Sequence, residues 1–395
     1  SCLKIISVIM AIVGVTFAIP ISIAIYCGEP EVLLSFIIPM ILSFVFFLSV
    51  YIPFRKVKFR LSIRQTFAIV ALCWITASFM GAMPLYFSGT FPSFTDAFFE
   101  SVSGFTTTGC SVCPSVEDLP RSINMWRCLT HWLGGMGIVT LTVALLPLLG
   151  IGGFRLIKAE TTGPEKGKVT ARITTTAKIL WLIYASLTLI EAILLRICGM
   201  DTIDAFAHAF STLGTGGFSS RNASIGAWNS PAIDYVITIF MLLSGVNFSL
   251  FYYLIARKVS DIFSNSEFRY YIGIVICSVT IVVLCLIPYF NNFGDSFRYG
   301  IFQVASIVTT TGFGTNDYIL WPSSAQFILF LLFFIGGSSG STSGGIKVIR
   351  WVILGKQVHN ETEKMLHPHG VFSIRLDGRP GRKDIVFNVA AFLML

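Results

Sequence analysis

The chain has 395 residues, 54% of them hydrophobic and only 12% charged, with a net charge of +8 and a mean hydropathy of +0.78. Ordinary soluble domains carry about a quarter charged residues, so that class is excluded and a polytopic membrane protein is indicated. The positive balance requires no nucleic acid, because it falls almost wholly in alternate loops.

Apolar runs close to the ~20 residues that cross hydrocarbon are predicted at about 3–27, 32–53, 66–88, 125–150, 177–199, 232–256, 270–290 and 324–353, with another beginning near Asp384. Basic residues gather in every second connection: Arg55, Lys56, Lys58, Arg60 and Arg64; Arg155, Lys158, Lys166, Lys168, Arg172 and Lys178; Arg257, Lys258 and Arg269; then Lys347 through Lys383. The positive-inside rule places these loops, and with them the N-terminus, in the cytoplasm. The connections around Glu29, Glu117 to Arg121, Arg221 to Asp234 and Asp295 to Asp317 are mixed in sign and read as external. The first run is long enough to span and lacks a small-residue cleavage site, so no signal peptide is expected. Starting at Ser1 and stopping inside an apolar segment, the chain reads as a fragment of a longer protein.

Three times a Thr/Gly stretch follows an apolar segment too short to span: Phe105-TTTGCS, Leu213-GTGGFS and Val308-TTTGFG. Gly109, Gly217 and Gly312 align at a period of roughly a hundred residues, and recurrence at that period decides the architecture. Each copy carries a Ser (Ser103, Ser211, Ser306) and, three residues earlier, a polar residue: Glu100, His208 or Gln303. Asp96 and Asp204 lie near the predicted starts of two of the short helices, where a carboxylate suits the positive end of the dipole. The expected fold is all-α, with units of outer helix, re-entrant half-length helix, loop and inner helix. The expected divisions are 1–64 (two N-terminal helices), 65–160, 161–262 and 263–360 (three repeats) and 361–395 (the start of a fourth).

A Thr/Gly loop at membrane depth points to ion handling. Gly lets the backbone turn its carbonyls inward, Thr adds hydroxyl oxygens, and unsatisfied backbone cannot face lipid. Re-entrant turns buried for packing are the bland alternative, and Glu100 reads equally as a brace between loops. The third inner helix is interrupted by Gly336-GSSGSTSG-Gly345, which a continuous helix would not choose. It reads as a constriction or gate, the alternative being a helix kink or linker.

The strings Gly336-x-Ser338-x-Gly340 and Gly337-Ser338-Ser339-Gly340 look enzyme-like but need a base. The His residues that follow, His359, His367 and His369, lie in the basic cytoplasmic segment. Cys110-x-x-Cys113 stands without a second pair and is weak evidence for zinc. No GxxxxGK[ST] or HExxH occurs, so no nucleotide site is expected in this chain.

The strings FFESVSGFTTTGCSV, HWLGGMGIVTL from His131, AETTGPEKGKVTARITTTAKILW from Ala159, AFSTLGTGGFS, SIVTTTGFG and GGSSGSTSGGIKVIR closely resemble the bacterial Trk/Ktr potassium transporter superfamily, of the TrkH/TrkG type. The resemblance implies four covalently linked repeats around a pseudo-fourfold pore, potassium uptake across the bacterial inner membrane, a homodimer and a cytosolic TrkA-type nucleotide-binding regulatory subunit. It further implies a potassium filter at Thr106, Thr107, Thr108 and Gly109; Gly214, Thr215, Gly216 and Gly217; Thr309, Thr310, Thr311 and Gly312. Gly336, Gly337, Ser338, Ser339, Gly340, Ser341, Thr342, Ser343, Gly344 and Gly345 match its intramembrane gating loop. The fourth loop and the pore-facing Arg that this family carries after it are missing, so three repeats by themselves should not conduct selectively. With one Gly after each Thr run, weaker potassium over sodium discrimination is expected than in typical potassium channels. A sodium- or proton-coupled symporter is the competing reading, with Glu100, His208, Asn247 and Glu191 as candidate sites; a hydrolase using Ser338 or Ser339 is the third.

Overall fold

The computed structural model describes residues 2–54, 63–137, 173–367, 375–376, 379–380 and 383–394. The basic segments at 55–60 and 155–172, the predicted span beyond Gly137, most of the AETTGPEKGKVTARITTTAKILW string and His369 lie outside the described residues. The described chain is helical apart from one antiparallel pair of two-residue strands, Arg375–Leu376 and Arg379–Pro380.

Among the described residues, five helical segments are long and apolar enough to span a membrane: Leu3–Cys27, Pro30–Phe54, Phe67–Phe87, Ala177–Ile197 and Ser266–Phe290. The last shows how sequence sets such a span. Asn265 caps it by accepting the Phe268 N–H at 2.8 Å, and its 25 residues rise about 38 Å, more than the ~30 Å hydrocarbon core. It stops after Pro288, at Asn291 in the left-handed region (φ 53°). The predicted continuous span 232–256 is a correction: it is two helices, Pro231–Ser244 and Phe248–Ile255, broken at Gly245, Val246 and Asn247. Gly245 disfavours the helix interior, and the Asn247 side chain restarts the second piece by accepting the Ser249 N–H at 2.9 Å.

The chain divides into two compact units. Of the described residues, those up to 241 and 311–316 form one; 242–310 and those from 317 onward form the other. In the first unit Trp126 is the hub. Its ring lies 4.6 Å from Phe17 and 6.3 Å from Phe105, and its indole N–H donates to the Gly81 carbonyl at 3.0 Å. Burying a Trp requires such a partner for its N–H. Glu29, in the turn after the first span, accepts the Arg121 N–H at 2.7 Å and the Ser122 N–H at 3.2 Å. It thereby caps the helix Arg121–Gly135, which has no cap from its own Pro120. The second unit packs Ser266–Phe290 against Phe293–Val308 and Ser323–Leu332 through Val282, Leu286, Val304 and Leu329.

Candidate functional site

Three short helices precede the Thr/Gly stretches: Phe94–Phe105, Thr202–Gly214 and Phe293–Val308. At 12, 13 and 16 residues they rise about 18 to 24 Å, too little to span. Each begins on a side-chain cap, Ser93, Asp201 or Asn292, which accepts an N–H of its own first turn.

All three end alike. Thr107, Thr215 and Thr310 adopt φ of 54°, 54° and 56°, and two residues on Gly109, Gly217 and Gly312 adopt 76°, 81° and 85°. The left-handed region is a genuine outlier for a β-branched residue, so three Thr outliers in register mark an imposed geometry. Each left-handed Thr turns its N–H back onto the helix end, Thr107 to Gly104, Thr215 to Thr212 and Thr310 to Ile307, at 2.9 to 3.1 Å. Handedness that alternates along a strand sets N–H groups on one side and carbonyls on the other. A backbone of this kind is able to present carbonyl oxygens, the groups that replace water around a dehydrated cation.

In the first unit the stretches touch in a repeated way. A Cβ on Gly109 would sit 2.0 Å from the Gly216 carbonyl oxygen, and a Cβ on Gly217 would sit 2.2 Å from that of Thr311. In each case the aligned Gly abuts the residue just before the aligned Gly of the next stretch, so one packing step occurs twice. Gly134 and Gly135 bring the helix Arg121–Gly135 close as well: a Cβ on Gly134 would sit 2.0 Å from the Phe105 carbonyl oxygen and one on Gly135 2.6 Å from the Gly214 Cα. His131 of that helix pairs its Nδ1 with the Ser211 hydroxyl at 2.8 Å and stacks on Phe218 at 4.1 Å, bracing the second stretch.

The three aligned polar residues have different surroundings. Glu100 is buried and ion-paired with Arg127 at 2.7 Å; it also accepts from the Ser111 hydroxyl at 2.9 Å and the Val112 N–H at 3.1 Å. His208 is buried, with Nδ1 at 2.7 Å from the Asp204 carbonyl and Nε2 at 2.9 Å from the Ser219 hydroxyl. Ser111 and Ser219 occupy equivalent positions, so both residues tie a short helix to the loop that follows its stretch. In the third copy that position is Gly314, which has no side chain, and the Gln303 Oε1 is buried without a hydrogen-bond partner among the described residues. Glu100 and His208 act as braces in this structure.

Within the second unit, residues 336–345 form a folded loop between the helices Ser323–Leu332 and Val348–Leu366. The break at Gly245 receives one side of it. The Ser338 N–H donates to the Gly245 carbonyl at 2.8 Å, and the Phe248 N–H donates to Gly340 at 3.1 Å. On the other side the Ser343 hydroxyl donates to the Thr309 carbonyl at 2.8 Å and the Thr310 hydroxyl accepts the Gly344 N–H at 2.6 Å. A third anchor is Glu267, buried in the first turn of Ser266–Phe290. It accepts the Ser339 N–H at 2.6 Å, the Ser339 hydroxyl at 2.8 Å and the Ile349 N–H at 3.2 Å, while Lys347 donates to the Ser343 carbonyl.

A family model described as a cation transport protein, TrkH, matches residues 34–395. The chain belongs to the TrkH family. It is 43% identical to the Trk system potassium uptake protein TrkH of Escherichia coli (strain K12) over 349 residues, 86% of this chain and 71% of that protein. Its identity to TrkH of Vibrio parahaemolyticus is 38% over 404 residues, covering 99% and 82% of the two chains. To TrkG of Escherichia coli it is 35% over 387 residues, covering 95% and 78%. The crystal structure of the potassium transporter TrkH from Vibrio parahaemolyticus matches with a TM-score of 0.87 at 34% identity, over 99% of this chain and 82% of that one. This TrkH-family chain is therefore a multi-pass helical membrane protein of a transport family and not an enzyme; Ser338 and Ser339 belong to a loop, and Ser339 donates its hydroxyl to Glu267.

Proposed function

We propose that this protein mediates potassium uptake through a channel-like pore, with Thr106–Gly109, Gly214–Gly217 and Thr309–Gly312 as filter segments and Gly336–Gly345 as the gate. The observation that carries this is the threefold left-handed Thr followed by left-handed Gly, a repeated loop backbone that supports carbonyls serving in place of a cation's hydration shell. The Gly-to-carbonyl step, repeated at Gly109 and Gly217, supports a pseudo-fourfold arrangement. A fourth segment would continue the series at Gly312, whose Cβ direction is open, and would end it at Thr108, which is exposed. Uptake is inward down the membrane potential, worth about 2.3 kcal/mol per charge per 100 mV. The setting is the bacterial inner membrane with the N-terminus in the cytoplasm. A homodimer and a TrkA-type nucleotide-binding regulator at the basic cytoplasmic face complete the proposal.

The test is the reversal potential of the native protein in planar bilayers under opposed potassium and sodium gradients. A value that follows potassium supports the filter; equal permeability to both ions removes the selectivity claim and leaves the pore.

One observation favours a coupled symporter. Glu100, His208 and Asn247 are engaged in braces or caps, but Glu191, in the span Ala177–Ile197, is buried with no donor among the described residues. The neighbouring Thr212 hydroxyl donates instead to the His208 carbonyl at 2.7 Å. Coupling through Glu191 predicts that Glu191→Gln shifts the reversal potential; a potential unchanged in Glu191→Gln and set by potassium alone excludes it.

A further inference from the structure

The second unit carries a lateral groove that neither the filter nor the loop uses. Its volume is about 630 Å³, and it runs between the helices Ser266–Phe290 and Ser323–Leu332. Arg269, Gly273, Cys277 and Ile281 line one wall at intervals of four residues, the stacked face of a single helix. Ile328 and Ile335 line the other. From Arg269 to Ile281 the helix rises about 18 Å, slightly more than the ~15 Å depth of one hydrocarbon leaflet. Gly273 sets the depth of the groove, because a Cβ there would meet nothing within 4 Å.

The groove is chemically two-ended. Its length is mostly apolar, with Tyr270 and Ser278 among the lining residues, and it includes two cations, Arg269 from the first turn of the spanning helix and Lys356 from the helix Val348–Leu366, whose start is held to that same turn by the Ile349 N–H on Glu267. A slot one leaflet deep, closed on two sides by membrane helices and tipped with two cations, matches an acyl chain that ends in a phosphate. Paired basic residues at the end of an interhelical groove are the usual means of holding an anionic headgroup.

We propose that this groove is a binding site for an anionic phospholipid, one acyl chain lying along Gly273 to Ile281 and the phosphate between Arg269 and Lys356. A zwitterionic lipid would fill the same slot without net attraction to the two cations, so preference for the anionic headgroup distinguishes a site from an ordinary lipid boundary.

The experiment is native mass spectrometry of the protein released from vesicles of equal phosphatidylglycerol and phosphatidylcholine, compared with the double variant Arg269→Gln/Lys356→Gln and with Gly273→Leu. Gly273→Leu fills the slot, leaves both charges in place and substitutes a better helix former at an open position, so it is expected to fold. The expected result is retention of phosphatidylglycerol over phosphatidylcholine by about tenfold, lost in both variants, restored in Arg269→Lys/Lys356→Arg, and not displaced by millimolar inorganic phosphate. Equal retention of the two lipids overturns the proposal, as does a preference unchanged in either variant or displacement by inorganic phosphate alone. A Cys277-to-Cys277 cross-link between two copies that Cys277→Ser abolishes would assign the groove to a second chain and also overturn it. The readout is binding, so it stands or falls independently of potassium conduction.

Discussion

The Ser343 hydroxyl donates a 2.8 Å hydrogen bond to the carbonyl oxygen of Thr309. A carbonyl that accepts from a serine has one lone pair fewer to offer a cation, so this contact ties the loop directly to the Thr309–Gly312 stretch. A bond of this kind is worth about 0.5–1.5 kcal/mol. If the loop is the gate, Ser343→Ala raises basal potassium flux by roughly 2- to 10-fold, measured as rubidium uptake into vesicles. Unchanged uptake in a folded variant removes Ser343 from gating.

Glu267 is expected to matter more, because its bonds to Ser339 and Ile349 are charge-assisted, at about 1.5–3 kcal/mol each. Glu267→Gln keeps the shape and weakens all of them. The expected outcome is a larger rise in uptake than Ser343→Ala gives, with proteolytic cleavage newly detectable between residues 336 and 347. A variant that unfolds globally, with loss of the intact melting transition, assigns Glu267 to stability instead.

The three left-handed threonines lead to a prediction about selectivity. Such a conformation costs a β-branched residue about 1–3 kcal/mol, and Gly relieves it at an entropic cost of about 0.5–1 kcal/mol. Thr107→Gly, Thr215→Gly and Thr310→Gly are therefore expected to leave the melting temperature unchanged or slightly higher while sodium permeability rises. A fall of several degrees in melting temperature would show that the Thr side chains, rather than the backbone geometry, hold the stretches together.

Much of this was legible in advance. Aligning Gly109, Gly217 and Gly312 located three short helices that the structure shows at those places, and the Gly/Ser run at 336–345 located the loop. The threonine geometry was not visible, because the code for left-handed backbone is Gly or Asn and a β-branched residue argues against it. The break at Gly245 was hidden by its neighbours, since Leu242, Leu243, Val246 and Phe248 keep the apolar run continuous through a local Gly and Asn signal. Arg127 and Glu267 give little periodic signal in single-residue form, and their partners lie 27 and 72 residues away. His131 stood inside a recognisable string, yet only the fold shows that it supports Ser211.

Glu100 and Arg127 form an ion pair with almost no solvent access to either side chain. Removing one partner leaves a buried charge, at about 3–5 kcal/mol, so Glu100→Ala and Arg127→Ala should each sharply lower the yield of folded protein in detergent. The paired change Glu100→Leu/Arg127→Leu should recover part of it. Single variants with wild-type melting would instead place Glu100 in contact with water or ions.

Acid sensitivity has a separate origin at Asp201. Burial works against its charge, but the hydrogen bond and charge of Arg121 outweigh it and hold the carboxyl below the usual range. A depressed carboxylate stabilises fully above its unfolded value near ~4 and loses that contribution as the pH falls through the folded value. Both side chains are about half exposed, at 44% and 53%, so solvent screening keeps the effect below about 1 kcal/mol. Melting curves at pH 6 and ~3 should differ slightly less for Asp201→Asn than for the wild type; an identical difference would remove this pair from the acid response.

Glu29 caps a helix whose first residue comes 92 positions later. At synthesis rates of about 5–20 residues per second, roughly 5–18 s separate the emergence of the carboxylate from that of its N–H partners. The helix Arg121–Gly135 thus finds its missing N-terminal acceptor already waiting when its own first turn emerges. Order of assembly is written into that single carboxylate: an earlier turn of the chain is a berth for the later helix that braces the second Thr/Gly stretch through His131.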